Sequence, residues 1–170
     1  MSTVQLGYLL ASLLAGVALA GLLRTETTIA RSRTLLAISL ALLIIALMCV
    51  GLVSRTIVRH IVQAVPAVIA LILVARVSPL APSASAPICT FWLGVMINIW
   101  LFILGIARIF TGTFSTVEIV LTIIIAAASA GGILAIVRSA VRLAASTRLV
   151  TAAVFGIGQL LAMIASFQFG

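Results

Sequence analysis

Thr34–Val53 reads TLLAISLALLIIALMCVGLV, twenty residues without a charge. A bilayer core of roughly 30 Å needs about 20 helical residues, and only helices or closed barrels satisfy the backbone there. The apolar run is continuous rather than alternating, which excludes a barrel strand and predicts a transmembrane helix. Similar runs recur on both sides: Val4–Leu23 before it, and Ile61–Ala75, Ile88–Ala107, Val117–Val137 and Leu149–Phe169 after it. The predicted fold class is all-α, a polytopic transmembrane helical bundle of six spans forming one membrane domain over residues 1–170. The third run is the shortest and is preceded by Arg59 and His60, so five spans is the alternative.

Composition agrees. Hydrophobic residues make up 65% of the chain, charged ones 7%, and the mean hydropathy is +1.47. A soluble domain carries about 45–50% apolar and about 25% charged residues, so a soluble enzyme, a disulfide scaffold and a disordered tail are excluded. Val4–Leu23 is long for a signal-peptide core and no basic residue precedes it, so it reads as a retained span. Ser78–Pro87 is rich in Pro, Ser and Ala and reads as an extended loop outside the hydrocarbon, with span 4 starting at Ile88. Arg138–Arg148 reads as an amphipathic connection.

All ten basic residues are Arg, against two Glu, for a net charge of +8. They lie singly or in pairs with no aromatic interleaving, which speaks against nucleic acid and for topology signals that meet anionic lipid headgroups. Arg24, Arg31, Arg33, Arg76, Arg138, Arg142 and Arg148 fall in loops 1, 3 and 5, seven against the three of loops 2 and 4, Arg55, Arg59 and Arg108. The positive-inside rule then puts both termini outside, in a bacterial cytoplasmic (inner) membrane.

Chemistry-bearing residues are few. Hydrolysis or group transfer needs a nucleophile with a base, paired carboxylates or metal ligands. The chain offers Glu26, Glu118, His60, Cys49 and Cys89, without metal-ligand spacing. No enzyme activity, cofactor or metal site is expected. Arg55, Arg59, His60 and Glu118 mark the membrane edge; Glu118 suits the positive end of its helix. Asn98 and Gln159 lie mid-span, with Gln63 nearer an edge; an Asn98–Gln159 amide pair would join helices 4 and 6. Small residues at four-residue spacing (Ser12, Gly16 and Ala20; Ala127, Gly131 and Ala135, with Ala128 and Gly132 as the neighbouring row; Ala152 with Gly156; Gly158 with Ala162) predict close helix packing. Spans 2 and 3, rich in Leu, Ile and Val, are expected to face lipid.

Leu6-Gly7 recurs as Leu93-Gly94, and Arg55–Arg59 as Arg138–Arg142, which would fit two inverted three-helix halves. The expected function is a non-enzymatic accessory subunit packing in a larger membrane complex, with a membrane-protein partner or self-association. The alternative is a small transporter or channel, homodimeric with inverted repeats.

Overall fold

Six helices account for nearly all of the described chain, which covers residues 3–23, 30–109, 112–139 and 143–169 of a computed structural model. They are α1 (Thr3–Gly21), α2 (Ala30–Val53), α3 (Ile57–Ala75), α4 (Ala81–Ile103), α5 (Thr116–Val137) and α6 (Ala145–Ser166), the last followed by a 3-10 turn, Phe167–Phe169. Each is long and apolar enough to cross a membrane, and no strand occurs among the described residues. The helix α3 begins at Ile57, not Ile61, and its 19 residues rise about 28 Å, a full crossing; the five-span alternative falls.

The expected loop at Ser78–Pro87 is instead mostly helix. The helix α4 starts at Ala81, and Ser83 through Cys89 are buried. Pro82 stands where a helix has no bond for its N–H to make, so it costs nothing. Pro87 costs one interior bond, while Ser85 Oγ donates to Ala81 O (2.8 Å) and Thr90 Oγ1 to Ala86 O (3.0 Å). The stretch lacks large side chains because it lies at the centre of the bundle. The helix α4 packs against α1, α3, α5 and α6, and α2 closes the far side between α3 and α5.

This centre is built on close backbone approach. A Cβ on Gly16 of α1 would collide with Pro87 Cα and lie 2.8 Å from Pro87 N; one on Gly132 of α5 would lie 2.6 Å from Cys89 Sγ. Ala20, Ala135 and Gly156 are buried as expected. Two small-residue readings are corrected. Ala127 is exposed, while the neighbouring row named in the sequence, Ala128 with Gly132, is buried; Gly158 has nothing within 4 Å of a built Cβ. A small residue marks a contact only where another helix lies opposite. Span 2 is also corrected: Leu36, Leu40, Leu43 and Leu47 of α2 are core residues. The helix α3 does turn Ile61, Val65, Val68, Ile69 and Ile72 outward.

Packing lacks the symmetry of two equivalent halves. The central α4 touches four helices, whereas its counterpart α1 packs on α4 and α6. Arg142, one end of the recurring motif, lies outside the described residues, as does Glu26.

Three helices end alike. Thr56 N donates to Gly51 O (2.8 Å), Ser78 N to Leu73 O (2.9 Å) and Ile106 N to Leu101 O (2.9 Å), each around a left-handed residue: Arg55 (φ 58°), Val77 (φ 56°) and Gly105 (φ 72°). Only glycine adopts this conformation freely; β-branched Val77 stores about 1–2 kcal/mol. Gly105 also explains why span 4 stops at Ile103, short of the expected Ala107. At the other membrane side, α5 ends at Val137 and α6 begins at Ala145, so Arg148 is helical rather than part of a separate amphipathic segment. Buried Arg148 donates from Nη1 to Leu23 O, placing a cation at the negative end of α1.

Candidate functional site

All six helices contribute to a cavity of about 520 Å³ at the end of the bundle that carries the α2–α3 turn and the α4–α5 loop. On α5 its wall runs from Glu118 to Ile125, about 10 Å of helix. The inner part is mostly apolar, with Leu47, Trp92, Val95, Met96, Ile125 and Met163 beside the amide of Gln63 and the hydroxyl of Thr122. The outer part carries Arg59, His60, Glu118, Ser54 and Thr56, with Phe114 and Phe167 beside them. Gln5 Nε2 donates to Ile109 O (2.6 Å), tying the start of α1 to the segment after α4 at this end.

Arg59 and His60 come into the wall because α3 begins a turn earlier than its apolar run. Gly51 permits this approach: an added Cβ would lie 3.0 Å from both His60 Cβ and Ile57 Cα. The Arg59 guanidinium sits 4.4 Å from the centre of the Phe167 ring and makes no ion pair among the described residues. Arg55, by contrast, is exposed in the turn and does not line the cavity.

The hydrogen bonds around His60 favour one tautomer. Ser54 Oγ donates to Val50 O (2.7 Å), so the Ser54–Thr56 contact (2.7 Å) must use the Thr56 hydroxyl proton. Thr56 Oγ1 then has no proton left for His60 Nδ1 (3.1 Å), and the carbonyl Thr56 O (3.0 Å) can only accept. His60 Nδ1 therefore carries the proton, and Nε2 keeps its lone pair.

Glu118 is the N3 residue of a capping box. Its Oε2 accepts from Ser115 N (2.8 Å) and Ser115 Oγ (2.7 Å), and its own N donates back to Ser115 Oγ (3.3 Å). Its negative charge is thus already met by the α5 N-terminus, as its position at the start of span 5 predicted. Trp92 is buried edge-on against Phe91 (5.6 Å, 87°), and its Nε1 has no partner among the described residues.

The mid-membrane amides do not pair as expected. Asn98 Nδ2 turns back to Gly94 O of its own helix (2.8 Å). Gln159 Nε2 reaches Gln63 O on α3 (3.2 Å), one turn before Pro66 interrupts the ladder. Gln63 Nε2 donates in return to Ser166 Oγ (2.8 Å) and Met163 Sδ (3.2 Å), so the polar clasp joins α3 to α6 and forms part of the cavity wall. Gln63→Leu should lower stability by roughly 0.6–2 kcal/mol, the range for bonds between membrane helices. In detergent unfolding titrations that loss should couple with Ser166→Ala, while Asn98→Leu and Gln159→Leu should add independently.

Sequence reading named Arg59, His60, Gln63 and Glu118, and the structure gathers these four around one cavity. It missed Trp92, Thr122 and Phe167, whose roles depend on contacts between distant helices. Among the described residues no group of three or more His, Cys, Asp or Glu could hold a metal ion. Comparison with known families, curated proteins and solved structures gave no match.

Proposed function

We propose that this protein is a small membrane carrier that binds a solute in the six-helix cavity. The observation that carries the reading is a cavity within the usual 300–1,000 Å³ of ligand sites, apolar within and polar at one end. The accessory-subunit reading loses support, since the glycine faces at Gly16 and Gly132 are occupied by α4 of the same chain. It retains the open face around Gly158, where a foreign helix could approach. The arginine asymmetry orients the cavity toward the outer face of a cytoplasmic membrane.

Proteoliposomes should pass small organic solutes, and Val95→Trp, which fills the cavity from α4, should stop the flux without unfolding the protein. Normal flux through a folded Val95→Trp protein would overturn the carrier reading. Stoichiometric co-purification of another membrane protein, with no flux, would favour the subunit. Sidedness is tested on Val77 and Thr113, both exposed and at opposite ends of the bundle. With Cys49 and Cys89 replaced by Ala, a cysteine at Thr113 should react with an impermeant thiol reagent in intact cells and one at Val77 should not.

A further inference from the structure

Charge compensation around the cavity is uneven. Glu118 is answered by Ser115 and the α5 N-terminus, whereas Arg59 faces only the ring of Phe167. A half-buried cation without a counter-charge among the described residues attracts an anion. Beside it, on the same turn of α3, His60 keeps Nδ1–H on Thr56 and leaves Nε2 bare. Among the described residues no other helix supplies an ionisable lining group: α1 gives Gln5, α2 Leu47 and Val50, α4 Trp92, Val95, Met96 and Ile99, and α6 Met163. Apart from His60, the ionisable groups facing the cavity are Arg59 and Glu118.

We propose that the cavity takes an organic monoanion with an apolar body, and that each anion enters together with one proton. The inference rests on reading the cavity as a solute site. The anionic head sits at Arg59, and the apolar body lies along Trp92, Val95, Met96 and Met163. The proton comes from hydronium or a buffer acid in the bulk solvent and adds to His60 Nε2, converting an acceptor into a second donor for the anion; no bond of the ligand breaks. Since the pair enters as anion plus proton, the cavity gains no net charge, which lowers the penalty of placing an ion in the membrane.

The test uses the full chain carrying Trp100→Phe in phosphatidylcholine nanodiscs, so that Trp92 alone reports by fluorescence. Octanoate, octanol and octylammonium are the probes. Octanoate should bind at least about tenfold more tightly than the other two, a difference of about 1.4 kcal/mol. Arg59→Gln should erase that preference while leaving octanol binding intact. Octanoate affinity should rise as the pH falls into the range where His60 takes up its proton, by up to tenfold per unit. His60→Gln should flatten the profile and keep the Arg59-dependent preference. Phosphatidylglycerol in a second series separates the sources: unchanged affinity identifies a free solute, and competitive loss identifies an anionic lipid head. Tighter binding of octylammonium, or a pH profile unchanged in His60→Gln, would overturn the inference while leaving the solute site standing. No binding of any probe would overturn both readings.

Discussion

Gly16→Ala should unseat α1 from the bundle. The added methyl would strike the backbone of Pro87, and backbone inside a packed helix cannot rotate away as a side chain can. Overpacking costs about 1–3 kcal/mol where neighbours yield. Here the expected loss lies at the upper end, after subtracting up to about 1 kcal/mol for alanine's better helix propensity. Gly16→Leu should abolish docking. A built Cβ also meets Thr90 Oγ1, so Thr90→Ala tests which contact decides. It should fail to rescue Gly16→Ala in thermal unfolding of the purified protein; full rescue would show that the Thr90 hydroxyl, and not the Pro87 backbone, sets the limit.

At Gly132 the same substitution should be costly but repairable. The obstacle there is the Cys89 sulfur, 2.6 Å from a built Cβ, with Ser39 Cβ at a comfortable 3.6 Å. Gly132→Ala should lose about 1–3 kcal/mol. Cys89→Ala, which removes that sulfur, should recover most of it, although alone it leaves a small void. The cycle should show a favourable coupling of about 0.5–3 kcal/mol between the two changes. Simple additivity in the unfolding titrations would mean that α4 and α5 do not meet through this pair.

Crossing helices were legible because bilayer thickness sets their length and apolar composition sets their place, independently of tertiary contacts. The start of α4 was not, because Pro82, Ser83 and Ser85 carry loop-like signals. Their small volume acquires its meaning only when α1, α5 and α6 are seen to crowd around them. The outer site was half legible. Arg59, His60 and Glu118 stand out as ionisable groups in an apolar chain, yet their division of labour rests on hydrogen bonds to Ser54, Thr56 and Ser115. The Asn98–Gln159 pair failed because equal depth does not imply a shared face.

The central position of α4 bears on how the chain is made. Gly16 and Pro87 lie 71 positions apart (87 − 16), and at synthesis rates of roughly 5–20 residues per second that gap lasts about 4–14 s. Throughout it α1 waits in the lipid with its notch unfilled, because both of its native neighbours, α4 and α6, are still to come. Of the helices encoded before Pro87, α1, α2 and α3, α2 and α3 pack closely on each other in the finished bundle, while α1 packs on α4 and α6. Arrival of the fourth helix, late in translation, is the event around which the others can gather.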